Sequence, residues 1–227
     1  MKVSIHQPNY IPWLGFFNKI IQSDIYIVFD DVQFPRGKDF AYRNKIKTPQ
    51  GGKWLSLPVS NKSQLVEWRH ALLSTDVDWR TDHLNQITAA YRNAPYYSEV
   101  FDMLEKIYDR DYNSVEELNL TIIEAILDIY NWHGTIIKSS ELNVNERGLE
   151  KIIGLLNEVK ATTYITGVGA GSQRYIDESI FKDNNIVLQY QQFNHPEYNQ
   201  QHGAFEPYMS IIDLLFNEGF NSKQFVL

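Results

Sequence analysis

The hydrophobic pattern of the first thirty residues changes period twice. Lys2–His6 reads as a short strand, and Gln7-Pro8-Asn9-Tyr10-Ile11-Pro12 interrupts it, because each proline removes a backbone donor and forbids regular pairing. From Trp13 onward the apolar residues Leu14, Phe17, Ile20 and Ile21 recur at offsets of three and four, the spacing of one helical face, until Ser23-Asp24. Ile25–Phe29 is a β-branched and aromatic run closed by Asp30-Asp31, which predicts a second strand. A β-loop-α-β unit favours parallel pairing. Its right-handed crossover puts the loop after the first strand and the acidic end of the second on one carboxyl edge, where open α/β sheets bind ligands.

Ala41–Thr48 and Lys53–Val59 are strand-like and flank Pro49-Gln50-Gly51-Gly52, whose glycines reach the positive φ values of a tight hairpin. Helical patterns follow over Trp79–Tyr91, Tyr97–Tyr108 and Val115–Tyr130, the last with Ser114 as N-cap and Glu116 and Glu117 favouring the dipole. Strand and helix then alternate: Thr135–Lys138, Arg147–Glu158, Thr163–Thr166 and Ile186–Tyr190, closed by an apolar helix over Met209–Asn217. The expectation is an α/β fold with a Rossmann-like, mostly parallel sheet, a β-hairpin arm and a helical insertion. With no repeat and no Pro/Ser-rich linker, 1–227 reads as one domain in three parts: 1–60, the helical insert 76–131, and the returning α/β part 132–227.

Composition narrows the function classes. Hydrophobic residues make up 43% of the chain and charged residues 22%, enough apolar surface to offset the entropy of ordering a core. No apolar run is long enough for a membrane span, and the start Met1–His6 turns polar too soon for a secretory signal, so a soluble cytoplasmic protein is expected. The absence of cysteine excludes disulfides, thiolate metal sites and cysteine nucleophiles. The net charge of −7 is uneven: residues 1–60 carry 8 Lys/Arg against 4 Asp/Glu. Six of those cations lie in Arg36–Lys53, a local positive potential suited to a phosphate-bearing small molecule or, in the plainer reading, a solvated basic hairpin. The acidic remainder argues against nucleic acid, which needs a broader basic footprint.

The most site-like segment is His6–Trp13, where hydrogen-bonding and ring-bearing residues precede a helix whose first amides are free to meet an anion. Position for position it resembles the class I nucleotidyltransferase pattern G-x-F-[DH]-P-x-H-x-G-H, with Gln7 at the acidic position and Tyr10 and Trp13 at the two histidines. Only Pro8 survives, so nucleotidyl transfer would need a different phosphate grip. Asp30-Asp31-Val32-Gln33 follows the second strand; a carboxylate pair there can bind an amine, orient a sugar hydroxyl or hold Mg²⁺ through oxygen ligands, and because adjacent residues of an extended segment point oppositely only one of the two is expected to be catalytic. Arg43 and Lys45 share a strand face and are expected to recognise an anion together. Gly167-Val168-Gly169-Ala170-Gly171-Ser172 after a strand could bring amides against phosphate with Arg174, although it lacks a Walker ending. His195 before Pro196, just past a strand, lies where loops carry function. No residue spacing indicates a metal site, and no pattern names a cofactor.

The stretch HQPNYIPWLGFFNKIIQSDIYIVFDDVQF, the Arg43–Lys47 run and Trp54-Leu55-Ser56-Leu57-Pro58-Val59 resemble the WbqC-like family. The resemblance continues through Trp79-Arg80 with His83, Tyr164-Ile165-Thr166-Gly167 with Gly171 and Tyr175, His195-Pro196, and Tyr208–Asn217, nearly the whole chain. It implies a transferase of bacterial polysaccharide or natural-product biosynthesis acting on a nucleotide-linked or otherwise activated amino-sugar, and it raises His83 to a candidate base. The expected centre is His6, Tyr10, Asp30 and His83, with His6 and His83 meeting across the pocket beneath the helical insert acting as a lid. Gln7, Asn9, Trp13, Asp31, Gln33, Arg43, Asn44, Lys45, Gly171, Arg174, Tyr175 and His195 are the expected substrate contacts. The first reading is direct transfer of an acyl, aminoacyl or related group to the amine, with a small anionic substrate and an acyl donor or carrier protein as partners. A sugar- or nucleotide-binding module without turnover is the reading from another class.

Overall fold

In the computed structural model, which describes residues 1–169 and 176–227, five parallel strands form one sheet: β1 (Lys2–His6), β2 (Ile25–Val28), β5 (Thr135–Lys138), β6 (Thr163–Thr166) and β7 (Val187–Tyr190). They lie in the order β5-β2-β1-β6-β7, so the first strand is central and the chain grows outward to one edge, then crosses over and grows to the other. That is the strand order 3-2-1-4-5 of the nucleotide-binding doubly wound sheet. A separate antiparallel hairpin is made by β3 (Arg43–Thr48) and β4 (Gly51–Ser56). Its loop is two residues, Pro49-Gln50, and Gly51 takes φ +93°, a conformation that costs a residue without Cβ little.

Alternation along the strands builds two cores. Tyr26 and Val28 join the cluster of Leu14, Phe17 and Ile20 from α1 (Leu14–Ile21) on one face, while Val3, Ile5, Ile25 and Ile27 pack on the other against Ile152, Leu155 and Leu156 of α5 (Gly148–Glu158). Phe181 of α6 (Glu178–Asp183) covers Tyr164 on that second face. The sequence pattern did not mark α6.

The helices α2 (Trp79–Tyr91), α3 (Tyr97–Tyr108) and α4 (Val115–Ile129) belong to the α1 face of the sheet, with α2 against β3 and α3 against α7 (Ile211–Glu218). Ser114 caps α4 through a complete capping box with Glu117, as its spacing predicts. The insert is therefore a buttress for the hairpin and first loop, and the lid expectation is corrected. Asn119 of α4 shows how: its Nδ2 donates to the carbonyls of Pro8 at 2.6 Å and Ala41 at 2.8 Å. Among the described residues no helix is long and apolar enough to cross a membrane.

Candidate functional site

At the carboxyl edge of the parallel sheet, above β1 and β2 and on the α5 side, lies a cavity of about 580 Å³. Gln7 enters from the loop after β1, and Asp31 and Gln33 from the end of β2. These are three of the substrate contacts expected from sequence, brought together by the crossover rule. The rest of the charged lining was not foreseen: Glu67, Arg69, Glu146, Arg147 and Lys151.

The 66–69 segment reaches the cavity because it pairs with the chain leaving β2. Phe34 N donates to Val66 O, Trp68 N to Val32 O and Arg69 N to Asp30 O, at 2.8–3.1 Å. Arg69 is held by its own neighbour, Nε to Glu67 Oε2 at 2.8 Å. On the far wall, no side chain caps α5, whose first position, Gly148, takes φ +62°. Its free first-turn amides, Arg147 and Lys151 together favour an anion. Lys151 Nζ meets Asp31 Oδ2 at 2.7 Å and also donates to Val144 O at 3.1 Å. Asp31 is thus a fixed, partly exposed carboxylate beside a fixed ammonium.

Asp30, expected as the catalytic carboxylate, is fully buried and does not line the cavity. Its Oδ1 accepts from Ser140 N and Ser139 Oγ, both at 2.9 Å, and its Oδ2 from Ser140 Oγ, so it ties the end of β2 to the end of β5. Of the two, Asp31 lines the cavity, and both carboxylates reach the hydroxyl of Ser139, so burial rather than strand alternation separates them.

Tyr10 and His83 are also in the core. Ser56 O can only accept, so His83 Nε2–H donates to it at 3.2 Å, and Nδ1 accepts the Tyr10 hydroxyl at 2.8 Å. Tyr10 oxygen in turn accepts from the Tyr108 hydroxyl. Burial lowers the His83 pKa from 6.5 to about 4 and raises that of Tyr10 well above 10. His6 packs edge-on to Phe16 with 5.0 Å between centroids and donates Nδ1–H to Gln7 O at 2.8 Å. Burial, then the nearby Lys19 charge, lower its pKa to about 3. The two histidines sit in separate clusters, which corrects the expectation that they meet.

The hairpin does not reach the cavity. Asn44 and Ile46 are buried, so Arg43 and Lys45 face away from the core, where the Arg43 guanidinium stacks 4.0 Å over Trp54 and Lys45 Nζ lies 5.4 Å from the same ring. Asn44 is a peg: its Nδ2 donates to Ile11 O at 2.8 Å and its Oδ1 accepts from Lys45 N at 2.9 Å. Ile11, the residue it holds, has φ +34°, a strained backbone for a β-branched side chain before proline. Trp13 stacks with His195 at 6.3 Å and 11°, and His195 is spent on structure, Nδ1–H to Pro196 O and Nε2 accepting Tyr208 N. Asn9 caps the turn through its backbone N to Gln7 O at 3.0 Å. Gly171, Arg174 and Tyr175 lie outside the described residues.

The chain is 32% identical over 227 residues to the uncharacterised protein Rv1507c of Mycobacterium tuberculosis, an alignment covering 99% of this chain and 97% of that protein. No solved structure matches it. The model of the WbqC-like protein family matches residues 7–225, from the cavity-lining Gln7 to the C-terminal turn, and the chain belongs to that family.

Proposed function

We propose that the protein is a transferase that holds a phosphate-bearing, nucleotide-linked amino-sugar or similar amine in the carboxyl-edge cavity and moves an acyl or aminoacyl group onto its amine. The observation that carries this reading is the mixed charge of the lining. Arg147, Lys151 and the uncapped start of α5 supply phosphate recognition, and Asp31, bonded to Lys151, and Glu67, bonded to Arg69, supply carboxylates for an amine or sugar hydroxyl. The volume, about 580 Å³, lies in the range of small-molecule sites. In direct transfer the amine nitrogen attacks the acyl carbon, Asp31 takes the amine proton, and the Lys151 ammonium balances the oxyanion until the leaving group departs.

One observation favours the alternative of a binding module. No histidine lines the cavity among the described residues, and Asp31 is already paired with Lys151. Geometry gives nucleotidyl transfer no support, because Tyr10, at the position of a phosphate-binding histidine, is buried in the core. The deciding experiment is titration of the purified protein with nucleotide-linked amino-sugars, followed by single turnover with an acyl donor. Arg147→Ala is expected to weaken binding by roughly 10-fold or more, and Asp31→Asn to lower turnover by roughly 10²–10⁴-fold with binding retained. Binding with no turnover for any donor selects the module; no binding removes both.

A further inference from the structure

Lys19 is the least expected charge in the molecule. It sits in the last turn of α1, where the helix dipole accounts for a basic residue, yet it is only 4% exposed. No carboxylate pairs with it among the described residues, and residues 170–175 contain none. Its single hydrogen bond among the described residues is a long one, Nζ to Ile5 O at 3.3 Å. An ammonium carries three donors, and a buried charge without a counter-charge is costly.

Its location is specific. His6 O accepts from Phe29 N on the β2 side, so one residue earlier the Ile5 carbonyl faces β6. The β1–β6 ladder stops at Ser4↔Ile165, whereas β1 stays paired to β2 through His6↔Val28 and β6 to β7 through Thr166↔Tyr190. The two central strands therefore part after Ser4 and Ile165, and Lys19 Nζ takes the carbonyl left at the fork. This is also where strand order reverses: α1 leaves β1 to one face, and α6 packs on the other. Beyond the fork stand His6, whose Nε2 is left as an acceptor, and Gly167–Gly169. A Cβ built on Gly169 would meet nothing within 4 Å. Gln191 closes the side towards α1, with Nε2 donating to Gly15 O and Asn18 Oδ1 at 2.7 Å.

We propose that the fork between the carboxyl ends of β1 and β6 is a second binding site, which takes a phosphate or carboxylate group of a small molecule as the counter-charge of Lys19. A strand-switch crevice with a buried cation is the reverse of a structural ion pair: the protein supplies one half, and the ligand the other. Burial lowers the Lys19 pKa to about 7, so the ammonium forms most readily when an anion is present to hold the proton. The site does not depend on the cavity reading. It stands on the opposite side of the His6-Gln7 loop from the cavity, an arrangement that would let two substrates approach one another.

Inorganic phosphate is the probe, with sodium chloride of equal ionic strength as control, and the readouts are the amide spectra of the full-length protein and its melting temperature. In the wild type, phosphate is expected to shift the amides of His6, Gln7, Gly167 and Gly169. Lys19→Met keeps the length of the side chain and removes the charge; it is expected to weaken that binding by roughly 10- to 100-fold and to melt no lower than the wild type. Shifts confined to Arg147 and Gly148 would report the cavity alone and overturn the proposal. So would no shift at all, or a Lys19→Met protein that binds phosphate undiminished. A large drop in melting temperature for Lys19→Met would make the ammonium a structural clamp on Ile5 O and overturn it too. The wild-type spectra decide the matter even if the variant does not fold.

Discussion

Replacing His83 by leucine separates a buried structural histidine from a catalytic one, because the hydrogen-bond chain around it has a fixed direction. Tyr108 donates to Tyr10, Tyr10 to His83 Nδ1, and His83 Nε2–H to Ser56 O. Leucine leaves the chain without a terminal acceptor. If Tyr10 turns its hydroxyl onto Tyr108 instead, Tyr108 becomes the orphan, so one buried O–H stays unpaired in either arrangement, at a cost of about 2 kcal/mol. Ser56 is exposed and its carbonyl can turn to water, which adds little. The pH dependence supplies the second half of the test. The folded-state pKa of His83, about 4, lies below its ordinary 6.5, so its contribution is complete above about pH 6.5 and drains away as pH falls towards about 4. At about pH 5 the wild type has lost roughly 2 kcal/mol through this one group, and the variant loses nothing there. His6, Asp213 and the other shifted groups titrate in both proteins and cancel in the difference. Urea unfolding followed by tryptophan fluorescence reads this well, since Trp79 lies edge-on to His83 at 5.5 Å. The wild type should exceed His83→Leu by about 2 kcal/mol at neutral pH and match it near pH 5. A gap that stays constant across that range would refute the neutral, inward-bonded histidine, and a folded variant with lost turnover and intact binding would return His83 to the mechanism.

Two further outcomes follow from the loops. Lys151→Met leaves the Asp31 carboxylate to compete with Asp30 for the single proton of the Ser139 hydroxyl, so stability to urea should fall by roughly 3 kcal/mol, and adding Asp31→Asn in the same chain should recover most of it. Asn44→Ala removes the peg on the strained Ile11 carbonyl; it should cost about 1–3 kcal/mol and speed amide exchange at Tyr10 and Ile11, with wild-type exchange there counting against the peg.

The elements that sequence pattern located well are those bounded by strong punctuation. β1, β5 and β6 match their expected spans, and the helices of the insert match to within a residue, because proline, glycine, aspartate and serine mark their ends and apolar periods fill their interiors. The hairpin strands came out shorter: Gly51 and Gly52 belong to β4, so only Pro49-Gln50 turns. The site was half legible for a topological reason. Gln7, Asp31 and Gln33 sit just past parallel strands, and the crossover rule alone brings them to one edge.

Arg69, Glu67, Arg147 and Lys151 come from a loop after the hairpin and from the start of a later helix. In sequence they look like ordinary solvated charge, and only the pairing of 66–69 with 30–34 delivers the first two to the cavity. The opposite error arose from chemistry without burial. His6, Tyr10, Asp30 and His83 are the residue types that catalyse reactions, but each is also a type that can satisfy itself inside a protein. Ser140 stands 110 positions along the chain from Asp30, and Tyr108 stands 98 from Tyr10. Partners so distant are invisible to any local pattern, so the same side chains that advertise catalysis in sequence can be fully occupied in the fold.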